Sequence, residues 1–360
     1  MKIVIFGLTI SSSWGNGHAT VWRSVCRQLI GRGHEIVFFE RDVPYYATHR
    51  DLLNIDGGTL RLYQSWSDIA DRAEEELRDA DIGIVTSYCP DAIAASELIW
   101  SSSAIRVFYD LDTPVTLARL RAAETVPYIH PDGLGEFDVV LSFTGGAALD
   151  ALKFELGAKE AAPLYGSVDP NVHRRVAANE KYRAALSYLG TYSQDRQQAL
   201  HNLFLEPARR APDMRFVMAG AQYPAEFPWT NNIFFVQHLP PAEHPTFFCS
   251  SGLTLNVTRA AMREMGWCPS GRLFEAAACG VPIISDWWNG LDEFFTPGAE
   301  ILIASSTEDV LAALQSSDGE LSRIARAARE RVLSEHTGEK RAQQFEKIIE
   351  KIHAREMVTA

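Results

Sequence analysis

The chain has 360 residues, a formal net charge of -12, and 46% hydrophobic against 22% charged residues. That is the make-up of an ordinary globular protein of about two domains, and the acidic balance excludes a general nucleic-acid binder, which needs a basic face. The five cysteines are odd in number and scattered, with no pair and no Cys/His group at zinc spacing, so free thiols in a reducing cytoplasm are expected and a structural metal is not.

Residues 1–10 are apolar but short, carry one lysine and run into a serine-rich turn, so they read as a first strand rather than a leader. No apolar run reaches the length of a membrane span, and no stable membrane insertion is expected. Strands are predicted over 3–8, 35–39, 82–86, 105–109 and 139–143. Helices are predicted between them over 19–30, 69–79, 92–100, 115–122 and 147–156, the first closed by the Gly31-Arg32-Gly33 turn. Strands apolar on both faces, alternating with helices, specify a parallel sheet covered on both sides. The pattern restarts after the turn-rich segment 166–171, with strands over 186–189, 216–218, 233–236, 253–257, 281–285 and 301–303 and helices over 197–210, 273–278 and 310–315. Residues from 321 onward have helical periodicity, interrupted at Thr337-Gly338. The expected organisation is α/β: a Rossmann-like doubly wound domain over 1–168, a second over 169–336, and a terminal helix over 337–360 that packs back toward the first domain. The two domains would face each other across a cleft, with ligands at the carboxyl ends of the strands.

The loops after strands therefore carry the chemistry. The run Ser270-Gly271-Arg272 opens a helix, offering free backbone N–H groups and a guanidinium at a helix N-terminus, an anion site. Glu275 follows three residues after Arg272 on the same helical face. An arginine for phosphate and a carboxylate for sugar hydroxyls suit a nucleotide-sugar; alternatively the two simply pair with each other. Gly190-Thr191 follows the first strand of the second half, with Arg196 just beyond, either a phosphate cradle or a plain helix start. Arg259 and His238 stand in two further post-strand loops of that half. In the first half, Asn16-Gly17-His18 enters a helix. Close backbone approach at Asn16 and Gly17 suits an acceptor, and a neutral His18 suits a general base on a hydroxyl; capping the helix is the other reading of His18. Asp110 and Asp112 follow a strand together: Asp110 is assigned a polar catalytic role beside His18, Asp112 a helix cap. A third use of that acid pair, holding a divalent cation, belongs to a one-domain architecture that the restarting pattern argues against.

Taken together these motifs resemble GT-B glycosyltransferases, more narrowly the CgeB-like, spore-maturation-type group. The resemblance rests on Tyr188-Leu189-Gly190-Thr191-Tyr192 with Arg196, on Asn256-Val257-Thr258-Arg259, and on the run from Pro269 to Gly280; Gly17-His18 and Arg32-Gly33-His34-Glu35-Ile36 look like the acceptor half of such enzymes. It implies a nucleotide-sugar donor held by the C-terminal domain, Glu275 on the ribose, and Arg272 and the Gly190 loop by the diphosphate. One position departs: many retaining members carry Glu-x7-Glu, and here Trp267 stands where the first glutamate would be. Retention and inversion both stay open. The expected activity is metal-independent transfer of a sugar from a nucleotide-diphosphate donor to a hydroxyl-bearing acceptor, with no bound cofactor. A sugar-nucleotide epimerase or a non-catalytic nucleotide-sugar binder on the same scaffold are the alternatives.

Overall fold

The computed structural model describes residues 1–15 and 17–359, with side chains described through Arg355. It divides into two compact units, one of residues 1–166 with the C-terminal helix and one of residues 167–337. The first unit holds β1 (Lys2–Gly7), β2 (Glu35–Arg41), β3 (Thr59–Tyr63), β4 (Ile82–Thr86), β5 (Ile105–Asp110), β6 (Val139–Ser142) and β7 (Ala161–Pro163). They form one sheet in the order β3-β2-β1-β4-β5-β6-β7, with every neighbouring pair parallel. Successive strand residues point to opposite faces. Ile3 and Ile5 therefore join one core with Phe38, Ile84 and Tyr109, while Val4 and Phe6 join another with Phe39, Val85 and Phe108. Helix His18–Gly31 covers the first face with Trp22, Val25 and Leu29, and Phe345, Ile349 and Ile352 of helix Gly338–Thr359 pack into the same core. The carboxylate of Glu346 fastens that helix down, accepting from Arg32 Nε at 2.8 Å and lying 2.8 Å from His34 Nε2.

The second unit repeats the design with β8 (Ala184–Leu189), β9 (Phe216–Gly220), β10 (Ile233–Gln237), β11 (Ser251–Asn256), β12 (Ile283–Ser285) and β13 (Leu302–Ile303). Their order is β10-β9-β8-β11-β12-β13, again all parallel. Each sheet thus reverses its strand order once, between β1 and β4 and between β8 and β11. In doubly wound sheets that reversal leaves a crevice at the carboxyl ends of the two strands.

The short helices Pro44–Ala47, His244–Cys249, Ala260–Met265 and Leu291–Phe294 were not predicted, and other elements differ from the sequence reading for a physical reason. The edge strands β3 and β7 were not predicted, because β3 is only partly buried along most of its length and β7 is three residues ending in proline. The predicted helix over 197–210 is a continuous helical run with a π segment at His201–Leu205. Pro207 has no N–H to return to the preceding turn, and the wider π turn accommodates the loss. The acid at Asp112 does occupy the N-cap position of helix Thr113–Arg121, yet its side chain makes no capping hydrogen bond. No helix among the described residues is long and apolar enough to cross a membrane.

Candidate functional site

In the second unit the crevice between β8 and β11 gathers the basic groups. Register sets Asn256, the last residue of β11, beside Ser285, the last of β12. The Asn256 amide donates to Ser285 Oγ at 3.0 Å, which leaves its Oδ1 to accept from Arg272 Nη1 at 3.0 Å. Arg272 is the second residue of helix Gly271–Cys279, whose N-cap Ser270 makes no side-chain cap. Its guanidinium lies 5.3 Å from the centre of the Tyr188 ring. Arg196 reaches the hydroxyl of the same tyrosine, Nη1 to Oη at 3.1 Å, and its Nε is buried without a partner among the described residues. Two guanidinium groups thus converge on one phenol. Among the described residues no ion pair to a carboxylate engages either of them, whereas Arg259 pairs with Asp195 at 3.2 Å. Burial holds Arg272 below its ordinary value, and the nearby Arg196 charge pushes the same way. An arriving anion would relieve both effects.

Backbone space makes the convergence possible. A Cβ on Gly190 would stand 2.7 Å from Tyr188 Oη and 3.1 Å from Arg272 Nη2; one on Gly220 would stand 2.0 Å from the Gly190 carbonyl oxygen. We expect Gly190→Ala to fold and to shift the guanidinium of Arg272, weakening anion binding about tenfold, a cost of the size of overpacking in a close-packed site. Calorimetry with inorganic pyrophosphate or a nucleoside diphosphate checks this, and unchanged affinity would show the close approach to be irrelevant.

Arg272 and Glu275 do not pair with each other. Arg272 turns to Asn256, while Glu275 Oε2 faces His173 Nε2 at 3.8 Å and His244 Nδ1 at 3.7 Å. Burial opposes the charge of Glu275, but the facing imidazoles of His173 and His244, with Arg272, more than offset this and hold its carboxyl down at about 2. His173 is 4% exposed and burial lowers its own pKa, so it is neutral near pH 7. Neither histidine was singled out from the sequence. One lies just after the turn-rich segment 166–171 and the other opens the short helix His244–Cys249, so no spacing joins them to Glu275. Of the other predicted residues, Thr191 is half-buried directly beyond Gly190. His238 follows β10 with a φ of 45° and donates its backbone N–H to Gly220 O at 2.8 Å.

The first unit has its own crevice residues. Asn16 lies outside the described residues. Gly17 is the N-cap of helix His18–Gly31 and, lacking a side chain, caps nothing; its carbonyl accepts from Val21 N–H at 3.3 Å. His18, 7% exposed, lies edge-on to Tyr88 with centroids 5.6 Å apart, and its Nδ1 has no hydrogen-bond partner among the described residues. Tyr88 itself sits at φ 62° in the loop after β4, a strained conformation for a residue with a side chain. The carboxylate facing His18 is that of Asp112, Nε2 to Oδ2 at 3.9 Å. Asp110, fully buried at the end of β5, lies behind it: its Oδ1 accepts the Asp112 N–H at 3.0 Å, and its Oδ2 is buried without a hydrogen-bond partner. Burial pushes Asp110 up to about 6, tempered by the Asp112 N–H and by the nearby Thr116 and Ser87 hydroxyls. Those hydroxyls are also engaged elsewhere, Thr116 with Tyr128 and Ser87 with the Leu111 N–H. Asp112 thus takes the place expected of Asp110 as the neighbour of the histidine, and Asp110 positions Asp112.

Comparison with known proteins bears on both units. Residues 196–347 match a protein family described as Glycosyl transferase-like. Among curated proteins none matches the chain. Sucrose-phosphate synthase from Thermosynechococcus elongatus superposes over 98% of this chain and 99% of its own, at 12% identity and a TM-score of 0.74. An alpha-glucosyltransferase in complex with UDP-glucose and DNA containing an abasic site covers 97% of this chain and 99% of its own, at 15% identity and a TM-score of 0.70. Anabaena HepE in complex with UDP-glucose covers 98% and 100%, at 12% identity and a TM-score of 0.69. The fold is therefore GT-B, two Rossmann-like units each with its own parallel sheet. Within it the stretch similar to the glycosyl transferase-like family takes in most of the second unit and the start of the C-terminal helix.

Proposed function

We propose that this enzyme transfers a sugar from a nucleoside-diphosphate donor to a hydroxyl group, without a metal ion or a bound cofactor, as a cytoplasmic member of the CgeB-like group. The observation that carries the reading is the meeting of Arg272 and Arg196 on Tyr188, where neither is ion-paired to a carboxylate. Charge develops on the leaving diphosphate as the glycosidic bond breaks. Fixed guanidinium groups and the free N–H groups of a helix N-terminus stabilise that charge, which is what a metal ion would otherwise supply. Glu275, ionised and one turn along from Arg272, suits two ribose hydroxyls. Thr191, Ser270 and Gly271 would complete the phosphate cradle, with His238 and Arg259 at its margin. In the first unit His18, oriented by Asp112, would take the proton of the acceptor hydroxyl. Asn16 and Gly17 stand beside it on the acceptor side.

The UDP and UDP-glucose held by structural neighbours make uridine diphosphate sugars the first donors to test. Thermal unfolding of the metal-free protein against a panel of nucleoside diphosphates should show a rise with at least one base, because a ligand that binds only the native state stabilises it by mass action. A flat response across the panel would refute the reading. Glu275→Ala should weaken that nucleotide about tenfold or more, as loss of hydrogen bonds to a charged group does. Calorimetry reads the change, and an unaltered dissociation constant would remove the ribose contact.

A further inference from the structure

We propose that His173, His244 and Glu275 form a binding site for a zinc-class divalent cation. Their ligand atoms all lie within 4.8 Å of one another, and Glu275 Oε2 is 3.8 Å from His173 Nε2 and 3.7 Å from His244 Nδ1. Those separations are too long for hydrogen bonds. They are close to what a tetrahedral zinc imposes: bonds of about 2.0–2.2 Å put ligand atoms roughly 3.4 Å apart, so each side chain need move by less than about 1 Å.

Three features favour a cation over a hydrogen-bonded triad. Both ring nitrogens of His173 and the Nδ1 of His244 are buried with no hydrogen-bond partner, although His173 is 4% exposed. Unpaired buried nitrogens of this kind are costly, and a metal ion would satisfy one of them on each ring. The position is also shielded: the side chains of His173, Glu275 and His244 are 4%, 12% and 19% exposed, so little solvent competes for it. Third, two imidazoles and one carboxylate are borderline ligands that select zinc, cobalt or nickel over magnesium or calcium, and they leave a fourth position for water. The three residues come from separate elements: the turn after Asp169, the first residue of helix His244–Cys249, and the first half of helix Gly271–Cys279. A bound ion would tie these elements together and stabilise the second unit.

One consequence rests on the donor reading given above. If Glu275 holds the ribose, the ion and the nucleotide compete for one carboxylate, and the cation acts as an inhibitor rather than as a participant in transfer. The site itself does not depend on that reading.

The test uses the full chain, stripped with a chelator and without nucleotide. Titration with zinc chloride followed by calorimetry, and with cobalt(II) followed by its visible ligand-field bands, should give saturable binding of one ion per chain with the intensity of a tetrahedral site. His244→Gln, at a part-buried position, should weaken binding at least tenfold; His173→Gln should do the same, with circular dichroism establishing that each variant is folded. Non-saturable binding, or affinity unchanged in both folded variants, would overturn the site. Nucleotide binding to the same metal-free protein reports separately on the donor reading, so either can fail while the other stands.

Discussion

Arg272→Ala should lower kcat/KM for sugar transfer by about 10²–10³, equivalent to about 2.7–4 kcal/mol, the effect of removing one preorganised donor from a developing anion. The size follows from how the side chain is held. Its Nη1 is fixed to Asn256 Oδ1 at 3.0 Å, Asn256 is fixed in turn to Ser285 at 3.0 Å, and the plane leans on Tyr188. No reorganisation is needed when charge arrives. Arg272→Lys keeps a charge but loses the planar fork, so it should recover only part of the activity. Stability should behave differently. Deletion strands Asn256 Oδ1, which costs about 1–3 kcal/mol, but it also removes a half-buried cation that burial and Arg196 both disfavour. The two effects oppose, so the unfolding midpoint should move little while turnover collapses. That split is the mark of a group kept for function at the expense of stability. Steady-state kinetics beside thermal unfolding checks it; a variant that loses stability and keeps turnover would make Arg272 a structural residue.

How far the chain announces this arrangement depends on the kind of residue. The inner strands are legible because a parallel sheet buries both faces: every residue of β4 is buried, and so is nearly every residue of β1. At the edges that signal fades, as in β3, where Thr59, Leu60 and Arg61 are only part-buried and Leu62 is exposed. The anion cradle is legible for a similar reason, since Gly190 follows a strand and Arg272 opens a helix, positions where backbone groups are free. The histidines around Glu275 are not, because only the tertiary fold brings positions 173 and 244 to helix Gly271–Cys279. The acids of the first unit fall between. Residues two apart on a strand share a face, so Asp110 and Asp112 would point the same way if β5 continued. It ends at Asp110, the chain turns at Leu111, and the carboxylates separate: Asp110 into the interior, Asp112 toward His18. Trp267, the departure from the resembled pattern, donates its indole N–H to Glu293 at 2.7 Å, a contact no spacing suggests.

Asp110→Asn should stabilise the protein above pH 6. The folded-state value of Asp110 is raised by burial from 3.8 to about 6. A carboxyl so shifted is fully accommodated below pH 4, where it is protonated in both states; as pH climbs through about 6 the native state must hold a buried charge that the unfolded chain holds in water. The shift of about two units corresponds to about 3 kcal/mol of stability lost across that window. Asparagine carries no charge, and its carbonyl still accepts the Asp112 N–H that Asp110 Oδ1 accepts at 3.0 Å. The variant should therefore unfold at higher denaturant than the wild type at pH 7.5, and the difference should shrink as pH falls from 6 to 4. A gap that stays constant across that range would mean that the acid is not the source. The wild-type chain keeps a destabilising carboxylate directly behind Asp112 and His18, where a neutral amide would serve the fold better. Retaining it is expected only if its negative charge, felt through Asp112, helps the imidazole accept a proton. The same variant should then lose turnover above pH 6, in the range where it gains stability.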